Sequence, residues 1–222
     1  MSAMASQVQV SIPAGTVKLE GVLELPSNPI GVVAFSHGSG SGRNSPRNRF
    51  VAAELHAARL GTLLLDLLTV EEDREYETRF DIDLLTTRLG YALEFLRQHP
   101  VTRELTVGLF GASTGAASAL RVAAQKPEAV GAIVSRGGRP DLAGSKALAQ
   151  VRAPTLLIVG GLDLGVIELN EAARDGLVSC ERVLEIVPGA THLFEEPGTL
   201  EEVARLATRW FSRHLGSQSA ST

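Results

Sequence analysis

The chain has 222 residues, of which 44% are hydrophobic and 21% charged, and it carries a formal net charge of −4 at pH 7. These proportions indicate one folded globular domain and exclude a disordered or fibrous chain. The negative charge leaves no basic surface for nucleic acids or anionic membranes, and the single cysteine, Cys180, excludes an internal disulfide and a cysteine-rich zinc site.

The two ends of the chain lack anchoring features. Residues 1–9 have neither the positive start nor the continuous apolar stretch of a signal peptide, and no run of about eighteen apolar residues occurs that would span a bilayer. Because no disulfide can form either, we expect a cytoplasmic protein. Residues 216–222 are rich in serine and predict a disordered tail after a single domain over residues 1–215.

Alternating and continuous apolar stretches predict the strands. Near the start, Val8–Ile12 and Val17–Leu25 alternate apolar and polar residues on either side of a Pro-Ala-Gly turn, which predicts an antiparallel hairpin at a sheet edge. Six later runs rich in Val, Ile and Leu do not alternate, which is typical of parallel strands covered on both faces. These runs are Ile30–Phe35, Leu63–Leu68, Leu105–Phe110, Val130–Val134, Leu156–Val159 and Val183–Val187.

The segments between these runs have apolar residues at helical spacing, which predicts amphipathic helices. Apolar residues recur on one face of Leu84–Leu96 and of Ala116–Ala123, and a proline follows each segment. The spacing of Thr199 and Glu202 predicts a capping box at the start of a last amphipathic helix. By contrast, the acidic stretch Glu71–Glu77 predicts a solvated loop.

Strand and helix therefore alternate along the chain. This pattern predicts an α/β fold with helices on both faces of a mostly parallel, twisted sheet of seven or eight strands. Only residues 135–153 separate two of the later strands, which leaves room for one helix and for no lid domain. A site at the carboxyl ends of the strands should then be open, which favours small or polar substrates over long-chain lipids.

A serine stands where the third of the six runs gives way to a helix. Gly111-Ala112-Ser113-Thr114-Gly115 joins the two elements, and its small residues permit a sharp strand-to-helix turn that presents the serine hydroxyl above the sheet. An alcohol is a poor nucleophile at neutral pH, so it needs a base and an acid that orients the base. We expect Ser113 to be the nucleophile of an acyl-transfer site.

The acid and a histidine are expected after later strands, in that order. Asp163 follows the fifth run through a Gly-Gly turn, and His192 follows the sixth, so we expect Asp163 to orient the base His192. Glu168 is the alternative acid, and Asp163 is also placed to cap a helix. Four other histidines suit the role of base less well, because three fall in helical segments and one precedes the serine. They are His56, His99, His214 and His37.

Two backbone N–H groups are expected to hold the oxyanion of the tetrahedral intermediate. One belongs to Thr114, the residue after the nucleophile, and the other to the loop His37-Gly38-Ser39-Gly40, which follows the first parallel run. Ser39 is the favoured second donor and Gly40 is the alternative. The same stretch can also be interpreted as a merely flexible loop.

Four segments of the chain share a pattern with a known family. They are the His-Gly-Ser-Gly loop, the Gly-Ala-Ser-Thr-Gly turn, a Gly-Gly-Leu-Asp turn and the stretch Gly-Ala-Thr-His-Leu-Phe. Together they resemble the dienelactone-hydrolase-like branch of the α/β-hydrolase superfamily. The resemblance runs from about Val17 to Leu215 and implies an eight-stranded, mostly parallel sheet with a triad of Ser113, Asp163 and His192. True dienelactone hydrolases carry cysteine where this chain has Ser113.

The expected activity is hydrolysis of a small or polar carboxylic ester, thioester or lactone through an acyl-enzyme, without a cofactor or metal. Three arginines are candidate substrate-binding residues. Arg47 follows the proposed oxyanion loop, and Arg136 and Arg139 follow a later strand, where a guanidinium can bind a carboxylate or phosphate. The alternative is that they pair with acids such as Glu71 or Asp141, or that they face water.

Two other functions stay open at this point. Gly38, Gly40 and Gly42 follow a strand, as in a nucleotide-binding loop, but Arg43 stands where the dinucleotide motif needs its third glycine. The chain can also be a non-catalytic binding protein with an α/β-hydrolase fold, because a fold alone does not establish activity. Neither the acyl group, the leaving group nor the oligomeric state is specified by these motifs.

Overall fold

Eight strands form one sheet in the computed structural model, which describes residues 6–216. The strands are β1 Ser6–Ala14, β2 Val17–Leu25, β3 Gly31–Ser36, β4 Leu60–Leu65, β5 Val107–Ala112, β6 Ala132–Arg136, β7 Thr155–Gly160 and β8 Arg182–Val187. The α-helices of this part of the chain are α1 Pro46–Ala57, α2 Val70–Arg74, α3 Ile82–Gln98, α4 Thr114–Gln125, α5 Ser145–Gln150, α6 Leu164–Gly176 and α7 Thr199–Leu215. Two short 3-10 segments span Glu77–Phe80 and Pro140–Ala143.

The order of strands across the sheet is β1-β2-β4-β3-β5-β6-β7-β8. β1 pairs with β2 and β2 with β4 in antiparallel register, whereas every other neighbouring pair is parallel. Because β3 lies between β4 and β5, the chain crosses from one half of the sheet to the other, and the loops after β3 and β5 leave the same edge side by side. The predicted mostly parallel, eight-stranded sheet with an antiparallel edge hairpin is confirmed.

Helices cover both faces of the sheet, and each face has its own apolar core. On one face α3 packs against α4, where Leu85, Leu89 and Leu120 are buried. On the other face α1 packs against α7, where Leu55 and Phe211 are buried. Every residue of β3, β5 and β7 is buried, which explains why their apolar runs do not alternate.

The structure corrects two predictions at helix starts. The predicted capping box of Thr199 and Glu202 is wrong, because Gly198 occupies the cap position at a φ of 83° and the Thr199 hydroxyl donates to a preceding carbonyl oxygen. A capping box forms instead between Thr69 and Glu72, at the start of α2. The acidic stretch that predicted a solvated loop therefore begins with a helical turn.

The end of the chain and the connection between β6 and β7 complete the comparison with the sequence. Gly216 caps α7, and residues 217–222 of the predicted tail lie outside the described residues. The segment between β6 and β7 holds one 3-10 turn and α5, which is the single helix that the sequence predicted there. Over residues 6–216, no helix is both long and apolar enough to cross a membrane.

Candidate active site

Ser113 stands on a sharp turn between β5 and α4. Its φ of 51° and ψ of −122° lie in a region that residues with a side chain rarely adopt. The turn needs small neighbours, because a Cβ on Gly111 would lie 2.5 Å from the Ala116 Cα and one on Gly115 would overlap the Ser36 carbonyl oxygen. The packing of strand against helix therefore holds Ser113 in this strained conformation at the carboxyl edge of the sheet.

Backbone contacts fix Ser113 between the loops after β3 and β6. The Ser113 N–H donates to the Arg136 carbonyl oxygen at 3.3 Å, and the Ser113 carbonyl oxygen accepts from the Arg139 N–H at 3.0 Å. Gly38 lies so close that a Cβ there would be 2.9 Å from the Ser113 Cβ. The predicted nucleophile, the predicted oxyanion loop and two of the predicted arginines thus share one edge of the sheet.

His192 and Asp163 are joined by a hydrogen bond of 2.6 Å between His Nδ1 and Asp Oδ2. Although Asp163 occupies the cap position of α6, its carboxylate makes no bond to that helix. Because the carboxylate accepts, Nδ1 carries the proton and the lone pair of Nε2 is left to take another. The side chain of His192 is 39% exposed and that of Asp163 is 18% exposed, so the ring is accessible while the acid is mostly enclosed.

The imidazole lies beside the neighbours of Ser113. The His192 Cε1 is 3.6 Å from the position that a Cβ on Gly137 would occupy, and Gly137 directly follows Arg136, whose carbonyl oxygen accepts from Ser113. Within residues 6–216 the hydrogen bonds of the ring do not include one to the Ser113 hydroxyl. Catalytic hydrogen bonds are often long without substrate and shorten when it binds. The structure thus brings His192 and Ser113 to the same edge of the sheet. A hydrogen bond between them belongs to the proposed mechanism below.

The loop after β3 and the start of α4 border one small surface depression. Ser39, Gly40 and Thr114 all line it. Thr114 is the first residue of α4, so its N–H lies at the positive end of the helix dipole. Both alternatives for the predicted second oxyanion donor therefore lie at the same depression as Thr114, the predicted first donor.

Comparison with known proteins places this fold in a family. A crystal structure of a dienelactone hydrolase from Anabaena variabilis is 54% identical in sequence and superposes with a TM-score of 0.92. The match covers 95% of this chain and 99% of that one. The chain belongs to the dienelactone hydrolase family of α/β hydrolases.

Other similar proteins are more distant or much longer. Est1E from Butyrivibrio proteoclasticus is 15% identical with a TM-score of 0.80, over 94% of this chain and 99% of that one, which shows a shared fold. Two curated proteins of Mycobacterium tuberculosis, from strains CDC 1551 and H37Rv, are 55% identical over 207 residues, 93% of this chain, and each is called "Putative phosphoribosyl transferase". The chain spans about half, 46%, of the length of these two relatives. No family model matches the chain.

The three predicted arginines of this dienelactone hydrolase family member differ in their partners. Arg139 donates to both carboxylate oxygens of Asp141, at 2.9 and 2.8 Å, so its charge is engaged in the way that the alternative interpretation expected. Arg136 is the last residue of β6 and is only 7% exposed. Burial, together with the charge of the neighbouring Arg47, lowers the pKa of Arg136 to about 10.

One residue that sequence reasoning set aside has a clear place at the site. His37 is buried at the start of the predicted oxyanion loop, where its Nδ1 donates to the Gly38 carbonyl oxygen at 2.9 Å and its Nε2 accepts from the Leu67 N–H at 2.9 Å. Burial lowers the pKa of His37, so the ring is held neutral. His37 therefore links the predicted oxyanion loop to the loop after β4 by hydrogen bonds. The signal in the sequence was its position directly before Gly38.

Proposed function

We propose that this dienelactone hydrolase family member is a serine hydrolase that cleaves a small or polar carboxylic ester, thioester or lactone through an acyl-enzyme on Ser113. The observation that carries the proposal is the meeting, at one sheet edge, of the strained turn at Ser113 with the hydrogen-bonded pair of His192 and Asp163. The relative from Anabaena variabilis is a dienelactone hydrolase by name, and a lactone is a cyclic ester. We place the reaction in the cytoplasm.

In the proposed mechanism, the Ser113 Oγ attacks the substrate carbonyl carbon while His192 Nε2 takes the hydroxyl proton. Asp163 keeps the ring in the required tautomer and stabilises its positive charge. The N–H groups of Thr114 and Ser39 hold the oxyanion, and each is expected to contribute about 2.7–4 kcal/mol of transition-state stabilisation. His192 then protonates the leaving group, and a water molecule attacks the acyl-enzyme by the same route and frees Ser113.

The surroundings of the site favour small or polar acyl groups. A cleft of about 570 Å³ lies beside the proposed oxyanion loop, and most of the side chains that line it are polar, among them Ser39, Asn44 and Arg47. Between β6 and β7, where many hydrolases insert a lid, the chain has only a 3-10 turn and α5. The polar side chains along this cleft offer hydrogen-bond partners to a small or polar acyl group.

Covalent labelling tests the nucleophile. A fluorophosphonate probe should add one probe mass to the wild-type protein, measured by intact-mass spectrometry, and should add none to Ser113→Ala, because the probe reacts only with an activated hydroxyl. The matched control is Ser145→Ala, which removes an exposed serine at the start of α5 and should label like the wild type. Full labelling of Ser113→Ala, or no labelling of the wild type, would overturn the proposed function.

A further inference from the structure

The loop that carries His192 has no helix or strand of its own. It spans residues 188–198, between the end of β8 and the start of α7. The bond from Nδ1 to Asp163 orients the imidazole, but it does not fix the backbone on which the ring stands. A catalytic side chain is held precisely only when its surroundings hold its main chain as well. Other contacts must therefore keep this loop in place.

The first part of the loop packs against the end of β7. The Leu162 N–H donates to the Ala190 carbonyl oxygen at 2.9 Å. A Cβ on Gly160, the last residue of β7, would lie 2.4 Å from the same oxygen. The chain thus crosses directly over the strand end two residues before His192. This packing fixes Ala190 relative to the turn that carries Asp163.

Phe194 anchors the loop on the other side of His192. Its ring is 2% exposed and belongs to the apolar core on the face of the sheet that α1 and α7 cover. Its φ of 55° lies in the left-handed region, which residues with a side chain rarely adopt. Its N–H donates to the Thr191 carbonyl oxygen at 3.2 Å. His192 therefore stands in a tight turn whose backbone conformation is unfavourable without support.

The Glu196 carboxylate bonds to the residue directly before His192. Its Oε2 accepts from the Thr191 N–H at 3.0 Å, and its Oε1 accepts from the Thr191 hydroxyl at 2.6 Å. These bonds lower the pKa of Glu196, so its side chain is charged at neutral pH. Hydrogen bonds to a charged acceptor are stronger than those between neutral groups. The two bonds close the turn that contains both His192 and Phe194.

Glu196 is itself fixed to the start of α7. Its carbonyl oxygen accepts from the Thr199 N–H at 3.0 Å and from the Thr199 hydroxyl at 2.7 Å. Thr199 is 6% exposed and is the first residue of this helix, whose apolar face packs on the sheet. The carboxylate that bonds to Thr191 is therefore attached to a rigid element of the fold.

The surface position of these bonds argues against a role in global stability. Thr191 is exposed, and exposed charged contacts contribute little to the stability of a fold. The neighbouring Glu195 shows the usual case, because its side chain is 65% exposed and its ion pair with Arg47 measures 3.5 Å. Glu196 instead directs two shorter bonds at one residue, next to the proposed base. Such bonds affect the local opening of a loop more than the unfolding of the domain.

We propose that Glu196 is a positioning residue, which holds the main chain at Thr191 so that the His192 imidazole stays between Asp163 and Ser113. The inference rests on the proposed function, because it takes His192 as the base. Glu196 is not assigned a contact with the substrate or with the reacting atoms, and it acts through the backbone of the loop. A misplacement of about 1 Å at a catalytic group can slow a reaction roughly a hundredfold.

Steady-state kinetics on p-nitrophenyl acetate test this role. Glu196→Ala should lower kcat about tenfold to hundredfold and change KM by less than about twofold, because the base is misplaced while the binding groups are untouched. The matched control is Glu201→Ala, which removes an exposed carboxylate from the first turn of α7 and should keep the wild-type kcat. The midpoint of denaturant unfolding should stay close to the wild-type value in both variants. Equal kcat values in the two variants, or a loss of kcat matched by a loss of stability, would overturn the inference.

Variants of Thr191 show whether Glu196 acts through this residue. Thr191→Ser keeps both donors and should keep the wild-type kcat, whereas Thr191→Val has a similar shape without the hydroxyl and should lower kcat several-fold. Thr191→Val combined with Glu196→Ala should be no slower than Glu196→Ala alone, because both changes remove the same contact. Additive losses would mean that Glu196 acts by its charge and not through Thr191, and the positioning role would be wrong.

A spectroscopic measurement separates this inference from the proposed function. Correlation of the carbon-bound ring protons with the ring nitrogens by NMR reports the tautomer of each histidine, and His192→Ala assigns the signals of His192. The wild type and Glu201→Ala should show the Nδ1–H tautomer that the bond to Asp163 requires. In Glu196→Ala the nitrogen shifts should move toward those of a free imidazole, because a mobile loop breaks that bond part of the time. This readout needs no turnover, so it tests the positioning role even if Ser113 proves unreactive. Identical nitrogen shifts in Glu196→Ala and the wild type would refute it whatever the labelling shows.

Discussion

The loops after β3 and β8 each place a histidine at the same edge of the sheet, and the two rings are held in opposite ways. His37 is buried, and backbone groups occupy both of its nitrogens: the Gly38 carbonyl oxygen accepts from one, and the Leu67 N–H donates to the other. His192 is 39% exposed, and its Nδ1 bonds to the carboxylate of Asp163. One ring is enclosed among uncharged partners, whereas the other is accessible and has a charged one.

This difference shows where a proton can move. A second proton on His37 would point at the Leu67 N–H, in a buried place where a charge is costly. A second proton on His192 would create a cation beside a carboxylate, which stabilises it. Both histidines lie near the serine turn, so proximity alone does not separate the proposed base from the structural residue. The hydrogen-bond partners of each ring do.

Of the variants considered, His192→Ala should have the largest effect on kcat, and it should distinguish the roles of the two histidines most clearly. We expect kcat to fall by about 10⁴- to 10⁶-fold, because no base remains to take the Ser113 proton. The free energy of unfolding should change by less than about 1 kcal/mol, because the ring is partly exposed and outside the core. Steady-state kinetics on p-nitrophenyl acetate and denaturant unfolding measure the two effects. A large loss of stability with a small loss of rate would show that His192 is structural.

Asp163→Asn should have the next largest effect. An amide cannot hold the Nδ1–H tautomer as a carboxylate does, so we expect kcat to fall by about 10⁴-fold with KM little changed. The matched control is Glu168→Gln, which changes the other acid that the sequence offered, an exposed side chain on α6. Rates measured on one neutral ester should drop only for Asp163→Asn. Equal losses in the two variants would mean that Asp163 has no special role.

The strands could be predicted from the sequence because parallel strands are buried on both faces, but their ends could not. The run Leu63–Leu68 predicted a strand, whereas β4 spans Leu60–Leu65. Leu67 and Leu68 are buried beyond the last paired residue, so the apolar run continues after the hydrogen bonding of the strand stops. Burial and backbone pairing are separate properties, and a hydrophobic pattern reports only the first.

The two Thr-x-x-Glu sequences show the same limit at helix starts. Thr69 is extended, with φ −70° and ψ 166°, and its side chain accepts from the Glu72 N–H. Thr199 has the same spacing to a glutamate, but the left-handed Gly198 before it moves the helix start, and the threonine becomes the first helical residue. The Thr-x-x-Glu spacing shows only that the side chains needed for a capping box are present. Whether the box forms depends on the backbone conformation at the residue before the threonine.

At the candidate site, the positions of Ser113, Asp163 and His192 followed from a local rule, that each stands just after a strand of a parallel sheet. The state of the arginines did not follow from any such rule. The contact of Arg136 with Asn48 joins residues 88 positions apart, through the packing of α1 on the sheet. No local pattern encodes that burial, so the sequence could name the arginine without showing that, within residues 6–216, it has no carboxylate partner.

The smallest expected effect on kcat belongs to a change at the other histidine, His37. His37→Phe keeps much of the ring volume but leaves the Leu67 N–H and the Gly38 carbonyl oxygen without their partner. We expect the free energy of unfolding to fall by about 1–3 kcal/mol, which is the usual cost of an unsatisfied buried polar group. The loss of kcat should be far smaller than in His192→Ala, because the proposed base is untouched. Denaturant unfolding and steady-state kinetics on the same ester check both expectations.

The pH dependence of stability sharpens this last prediction. Burial lowers the pKa of His37 and outweighs the opposite effects of its bond to Gly38 and of the charges of Asp66 and Asp73. In the unfolded chain that pKa is about 6.5. The contribution of His37 to the free energy of unfolding is therefore complete above about pH 6.5 and is lost as the pH falls toward the lower folded pKa, by up to about 1.4 kcal/mol per pH unit for one proton.

Burial also lowers the pKa of two other histidines, His56 and His214. Unfolding measured between about pH 5 and 8 should show a shallower acid slope in His37→Phe than in the wild type, because the share of one proton is removed. Identical slopes would mean that the folded protein does not hold His37 neutral.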